Sequence, residues 1–248
     1  MRIPRLHTPQ ALVPGTELEL DPRAARHCTT VLRLRAGAPV ILFDGEGTEA
    51  AGRLVRVRRG TARVQVEALR DPLPEPALAL HLVMGLARGE RMDWVIQKAV
   101  ELGVASITPV ITERSVVRLR ADNRPRRMDH WRGVLVGACE QCGRARLPVL
   151  HEPLALAEYL AQPARGLRLV LSPEGDTVPA RLQAARAAEL LIGPEGGLAP
   201  HEHEAAAAAG FTALRLGPRI LRAETAAVAA LACLQVLWGD MGGQGAGC

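Results

Sequence analysis

The chain has 248 residues, 48% hydrophobic and 23% charged, with a formal net charge of +5 and a sequence pI near 9.4. This length can bury one large core or two smaller ones, and the apolar fraction excludes global disorder; with only 2% aromatic residues, Leu, Val, Ile and Ala must fill the interior. Five cysteines, an odd number with no apolar leader ahead of them, exclude a disulfide framework, and no run reaches the roughly 18 apolar residues that cross a bilayer, so a soluble, cytoplasmic protein is expected.

Residues 22–34 read as one short helix. Pro39 to Phe43 is an apolar run ending in the turn Asp44-Gly-Glu-Gly47. Leu54, Val55 and Val57 alternate with arginines up to Arg59-Gly60, and the chain returns through Ala62 to Glu67, which predicts a hairpin with one buried face. Asp71-Pro-Leu-Pro-Glu-Pro76 carries three prolines in six residues and fits a linker. The expectation is a small β-barrel over residues 1–72 and a second domain over 73–248.

Beyond the linker, strands and helices alternate, the signature of an α/β domain with a mainly parallel sheet. Leu78 to Met84 reads as a strand. Apolar residues at Met92, Val95, Ile96, Ala99 and Leu102 form a helical stripe closed by Gly103. Ser106 to Ile111 is another strand, Pro125 to Gly143 a helix and Pro153 to Leu160 a shorter one.

The last third uses one device three times. Leu167 to Leu171 leads into Ser172-Pro-Glu-Gly175, Leu190 to Ile192 into Gly193-Pro-Glu-Gly-Gly197, and Ala213 to Leu216 into Gly217-Pro-Arg-Ile-Leu-Arg222. Ligands of open α/β sheets bind beyond the carboxyl ends of the strands, so three such turns would form one pocket lined by main-chain groups. The closing helix, Ala223 to Trp238, is apolar around nearly its whole circumference and must be covered by the sheet or by a second subunit.

Each motif alone has an ordinary explanation. Gly193-Pro-Glu-Gly-Gly197 is neither a triphosphate loop nor a dinucleotide fingerprint, and alone it is a tight turn. Glu224 and Thr225 suit the first turn of a helix. Two arginines flanking Ile220-Leu221 are harder to explain by packing. Taken together, Gln97-Lys-Ala-Val-Glu-Leu-Gly103, Glu113-Arg-Ser115, Glu140-Gln-Cys-Gly-Arg144, Gly193-Pro-Glu-Gly-Gly197 and Leu216-Gly-Pro-Arg-Ile-Leu-Arg-Ala-Glu-Thr-Ala226 resemble, in order, the RsmE family. Those are 16S ribosomal RNA uridine-N3 methyltransferases of the SPOUT superfamily.

The resemblance implies a trefoil-knotted SPOUT α/β domain behind a PUA-like RNA-binding domain, a homodimer, and S-adenosylmethionine (SAM) as methyl donor without a metal. It implies a SAM pocket at Leu171, Ile192, Gly193, Pro194, Gly196, Leu216, Gly217, Ile220 and Leu221. Uridine N3 keeps its proton and is a poor nucleophile, so the site needs a base or cationic donors. Arg222 and Arg114 are candidates for electrostatic stabilisation and Glu224 for the base, although each could instead form a structural ion pair. The substrate implied is 16S RNA or the small ribosomal subunit. The rival readings are a SPOUT enzyme acting on another RNA atom such as a ribose 2′-hydroxyl, an RNA-binding assembly factor that has lost catalysis, and an unrelated nucleotide-binding α/β protein.

Thirty of the 31 basic Lys and Arg residues are arginine, with Lys98 the sole lysine. This suits a polyanion, though codon usage or heat adaptation has the same effect. Arg118, Arg120, Arg124, Arg126 and Arg127, with Arg2 and Arg5 of the N-terminal arm, are the candidate RNA contacts, extended by Arg56, Arg58 and Arg132. Cys139-Glu-Gln-Cys142 has a metal or redox spacing but no second pair, and it lies on a helix where the family carries a small hydroxyl at the second cysteine. His201 and His203 at i, i+2 point to different sides of a helix. Leu198-Ala199 stands where the family commonly has an aromatic and a capping serine.

Overall fold

A computed structural model describes residues 3–58, 60–116 and 122–242. The chain packs into two compact units, one of Met1–Glu75 with Val136–Leu147, the other of Pro76–Leu135 with Pro148–Cys248. The first unit thus takes a later stretch of the chain besides the N-terminal one.

The first unit contains β1 (Arg5–His7), β2 (Glu17–Glu19), α1 (Pro22–Arg26), β3 (Pro39–Phe43), β4 (Glu49–Arg58) and β5 (Thr61–Arg70). Its five-stranded sheet runs β1-β3-β4-β5-β2, with β1 and β3 parallel and the remaining pairs antiparallel. Asp21 opens α1 by accepting the Arg23 and Ala24 amides at 2.8 and 3.0 Å, with Pro22 in the first helical position. The helix expected over 22–34 is α-helical only to Arg26 and continues as a single π turn, His27–Val31. Leu6, Val40, Leu42, Leu54, Val64 and Val66 pack with Ala24, Ala25 and Cys28 into the core. The hairpin of β4 and β5 is interrupted between Leu54 and Arg56, where the pairing shifts by one residue. Val55 is left 40% exposed at this bulge, and Val57 returns to pack against the core. The later stretch joins through Arg146, which bridges to Gly45 and Glu46, and through the Leu147 amide, which donates to the Gly45 carbonyl at 2.8 Å.

The second unit is α/β. Its elements are β6 (Ala79–Gly85), α2 (Glu90–Glu101), β7 (Ser106–Ile111), α3 (Arg124–Cys142), β8 (Val149–Leu150), β9 (Leu154–Ala155), α4 (Leu156–Leu160), β10 (Leu167–Leu171), β11 (Ala187–Ile192), α5 (Pro200–Ala208), β12 (Thr212–Leu214) and α6 (Ala223–Trp238). From Val136 onward, α3 belongs to the first unit. All strand pairs are parallel, in the order β12-β10-β11-β6-β7-β8, with β9 also paired to β7. Leu80, Leu82, Val83 and Met84 are all fully buried, as expected for a parallel strand covered on both faces. In α2 the buried stripe is Met92, Val95, Ile96, Ala99 and Val100. The chain leaves that helix through Gly103 at φ +75°, where a Cβ would stand 2.6 Å from Pro76 Cγ.

Parallel pairing sends the carboxyl ends of β6, β10, β11 and β12 to one edge, so the three Gly-Pro turns collect there. Towards the other edge, Glu189 of β11 is fully buried and accepts hydrogen bonds from the Tyr159 hydroxyl at 2.6 Å and from the Arg165 amide. It also pairs with Arg168 of β10, whose guanidinium donates onward to the Ala209 and Gln162 carbonyls. In α6, Ala227, Ala230, Leu231, Leu234 and Gln235 are buried, whereas Val236 and Leu237 are 52% and 43% exposed. Among the described residues, no helix is long and apolar enough to cross a membrane.

Candidate functional site

The turns after β10, β11 and β12 enclose a cleft of about 950 Å³, closed by Arg91 of α2 and by Arg114 beyond β7. That volume falls within the range of pockets that hold a cofactor-sized molecule. Leu171, Ile192, Gly193, Pro194, Gly196, Leu216, Gly217, Ile220 and Leu221 all line it, as do Arg114, Arg222 and Glu224. One cleft therefore gathers every residue assigned from the sequence to the SAM pocket and to the chemistry.

Close approach shapes the loop after β11. A Cβ at Gly85, the last residue of β6, would stand 2.5 Å from the Pro194 nitrogen, and one at Gly193 would stand 2.9 Å from the Gly197 carbonyl carbon. Only residues without a side chain let these backbones pack so tightly. The loop is then tied down on two sides. The Arg114 Nη1 donates to the Gly196 carbonyl at 3.0 Å. On the other side, Glu195 Oε1 accepts the Arg88 amide at 3.1 Å and Arg91 Nη1 at 3.0 Å, at the start of α2. Partial burial alone would raise the Glu195 pKa, but the Arg88 amide, its own amide and the Arg91 guanidinium hold it below the usual carboxylate value.

The third turn carries Arg222 and leads into Glu224, both in the lining of the cleft. Arg222 caps α6 in an extended conformation, and its carbonyl accepts the Ala226 amide at 2.8 Å, so its position follows from the start of the helix. Its side chain is exposed and makes no ion pair or hydrogen bond among the described residues. Glu224, in the first turn of the same helix, is half-buried and likewise unpaired among the described residues. Ile220 is 86% exposed at the mouth of the cleft.

Sequence reasoning missed several lining residues: Arg91, Ser172, Glu174, Glu195, His203, Arg215 and Arg219. Ser172, Glu174 and Glu195 lie inside the very turns singled out, so their signal was present. Arg91 gave none, because only the approach of α2 to the loop brings it there. The Leu198-Ala199 departure is offset by Glu202, whose carboxylate accepts the Ala199 amide at 2.8 Å and the Glu113 amide at 2.9 Å. Pro200 occupies the first helical position of α5.

The arginines expected to contact RNA separate into different situations. Arg5 requires a correction. It is 8% exposed, its Nη1 lies 2.5 Å from Glu49 and its Nη2 donates to the Arg144 carbonyl, because parallel pairing of β1 with β3 turns it inward. It is a buried structural cation, unavailable to a phosphate. Arg126 is exposed, Arg127 lies 5.8 Å over the Trp131 ring, and Arg124 has its Nε buried. Arg56 and Arg58 are exposed, and Arg132 is held by Asp129 and Glu152. Arg2, Arg118 and Arg120 lie outside the described residues. Cys139 is fully buried, and burial pushes its thiol up to about 12, which removes the thiolate that metal binding or redox chemistry needs. Among the described residues, no group of three or more His, Cys, Asp or Glu is arranged to hold a metal.

Comparison with known proteins agrees with this geometry. The pattern of the RNA methyltransferase domain matches residues 74–235, and that of the RNA methyltransferase PUA domain matches residues 20–67. Ribosomal RNA small subunit methyltransferase E of Mycobacterium bovis is 33% identical, covering 90% of this chain and 87% of its own. The protein of that name from Buchnera aphidicola is 29% identical, covering 97% and 98%. Among solved structures, a Legionella pneumophila methyltransferase in complex with SAM superposes with a TM-score of 0.94 at 38% identity, covering 97% of this chain and 100% of that one. Ribosomal RNA small subunit methyltransferase E of Neisseria gonorrhoeae, bound to SAM, gives 0.89 at 35%, covering 96% and 99%. With its cleft, its two domain patterns and its near full-length relatives all in agreement, the chain belongs to the ribosomal RNA small subunit methyltransferase E family of RNA methyltransferases.

Proposed function

We propose that this protein transfers a methyl group from SAM to N3 of a uridine in 16S RNA of the small ribosomal subunit. The observation that carries this reading is the convergence of three strand-end turns on one cleft that also holds the side chains of Arg222 and Glu224, neither of them ion-paired among the described residues. The cleft fits the donor: a Cβ at Gly217 would meet nothing, so the main chain there is open to a ligand, and Leu216, Ile220 and Leu221 offer apolar surface to a flat ring. Glu174 and Glu224 place carboxylates in a cleft that must accept a cation.

SAM, when bound, supplies a methyl group on a positively charged sulfur and so needs no Lewis acid to activate it. The residues of the chain act on the uridine. Glu224 accepts the N3 proton, Arg222 offsets the negative charge that develops on the base, and Arg114, already tied to Gly196, adds a second cation at the wall. The freed N3 lone pair then forms the bond to the methyl carbon as the carbon–sulfur bond breaks. Holding both reactants in line supplies much of the acceleration. The reading extends to a trefoil knot formed by the turns around the cleft, to a homodimer through the open face of α6, and to backbone contacts from Arg126, Arg56 and Arg58. Mass spectrometry of nucleosides from 16S RNA incubated with protein and SAM tests it: 3-methyluridine is expected, and a 2′-O-methyl product or no product would overturn it.

A further inference from the structure

The charges that line the methyl-transfer cleft do not suit its cofactor alone. Five arginines, Arg91, Arg114, Arg215, Arg219 and Arg222, stand against three glutamates, Glu174, Glu195 and Glu224, with His203 the remaining ionisable side chain. SAM carries a positive sulfur, and like charges gathered in one cleft oppose its binding. A surplus of arginine around a cation is offset only when an anion shares the space. Most of these groups already have work. Arg91 is held by Glu195 at 3.0 Å, and Arg114 donates to the Gly196 carbonyl. On the proposed chemistry, Glu174 favours the cationic donor, while Arg114, Arg222 and Glu224 act on the uridine. That leaves Arg215 and Arg219.

Both residues are exposed, and neither side chain makes an ion pair or hydrogen bond among the described residues. Their backbone is fixed on either side. Arg215 follows the buried Leu214 at the end of β12, and its amide donates to the Thr177 carbonyl at 2.9 Å. Gly217 then turns the chain at φ +77°, a conformation that favours glycine, and the Pro218 ring restricts the residue after it. The turn ends where the Arg222 carbonyl accepts the Ala226 amide and α6 begins. Two long cationic side chains thus leave a short, anchored turn that lines the cleft and is open to solvent. Arginine presents a planar fork that suits phosphate. A uridine enters such a cleft by leaving the base stack, and the sugar–phosphate chain on either side of it stays at the mouth. We propose that Arg215 and Arg219 grip the RNA phosphates that flank the target nucleotide and so hold the flipped base against the donor. Contacts of this kind set register without reading sequence. The proposal rests on the RNA methyltransferase reading given above.

The test compares the full-length parent with Arg215→Ala, Arg219→Ala, the double variant and Arg219→Lys, using a fluorescently labelled 16S RNA transcript and, separately, SAM. Each alanine variant should weaken RNA binding about threefold to tenfold and reduce the slope of log affinity against log salt by about one. The KM for RNA should rise by a larger factor than kcat falls. Arg219→Lys keeps the charge but not the fork, so it should retain the salt slope while losing part of the affinity. SAM affinity, measured by calorimetry without RNA, should hold or rise, because a like charge has left the cleft. Residues that merely shape the turn would lower both affinities together. A double variant that binds RNA within about twofold of the parent, with an unchanged salt slope, would overturn the proposal, and so would a loss of SAM affinity parallel to that for RNA. If the parent forms 3-methyluridine while the double variant binds RNA as the parent does, the phosphate grip alone fails. If the double variant loses RNA binding but the parent makes no 3-methyluridine, the assignment of the reaction fails and the grip stands.

Discussion

At the scale of single residues, the cleft separates groups that act on substrate from groups that hold the wall. Arg222 is proposed for the first kind, because its side chain lines the cleft and makes no ion pair among the described residues. Removing one preorganised donor from a charge-developing site costs about a hundredfold to a thousandfold in turnover. Arg222→Ala should therefore lower kcat by that factor and leave SAM affinity nearly unchanged; unaltered turnover in a folded variant would remove Arg222 from the mechanism. Glu195 is of the second kind. Its ionised carboxylate fastens the loop after β11 to the Arg88 amide and Arg91. Because those partners lower its pKa below the usual carboxylate value, the tie is fully present above the ordinary carboxylate range and is lost as pH falls through the lowered value. SAM affinity should hold from neutral pH through the ordinary carboxylate range and then drop. Glu195→Gln should bind SAM more weakly at neutral pH with a flattened acid limb, and an unchanged acid limb would assign the drop to another group.

At the scale of elements, the site depends on how closely β6 approaches the loop after β11. Gly85→Ala would drive a methyl group into the Pro194 backbone, where nothing flexible can yield. Overpacking of this sort costs about 1–3 kcal/mol, and much of it should appear as displacement of the SAM loop. The expected result is a marked loss of SAM affinity with a modest fall in Tm; retained affinity would show that the loop can relax. Glu189 of β11 and Arg168 of β10, with Tyr159 of α4, form a network away from this cleft. Glu189→Ala would strand Arg168 in the interior, costing about 3–5 kcal/mol in chemical denaturation, and a loss under 1 kcal/mol would refute a structural role. The three strand-end turns were legible because Gly and Pro mark both the end of a strand and a backbone open to a ligand. Helix α6 was legible from end to end for a related reason, its apolar run from Ala226 to Trp238, broken only at Gln235 and closed by Gly239. The π turn after Arg26 and the bulge at Val55 were not, since both are set by pairing and packing that composition does not record. Arg5 was misread because an arginine right after a proline in an N-terminal arm looks exposed, and only the parallel partner β3 and the Glu49 carboxylate turn it inward.

At the scale of the whole molecule, the open side of α6 is the feature that a single chain leaves unfinished. Its buried face packs through Ala227, Ala230, Leu231 and Leu234, yet Val236 and Leu237 remain exposed on the same helix. A second copy that covered these two side chains would take their apolar surface out of water. Since α6 starts at the cleft with Ala223 and Glu224, a second copy seated on its far end would steady the helix that positions Arg222. Binding and association are then linked, because a ligand that favours the ordered cleft also favours the dimer. Sedimentation velocity of the parent should show a dimer whose dissociation is suppressed by SAM. Val236→Asp, which places a charge in that surface, should shift the protein towards monomer and weaken SAM binding, with the secondary structure retained. A parent that sediments as a monomer at micromolar concentration, with and without SAM, would locate all of the cleft's order within one chain and leave the apolar end of α6 to another partner.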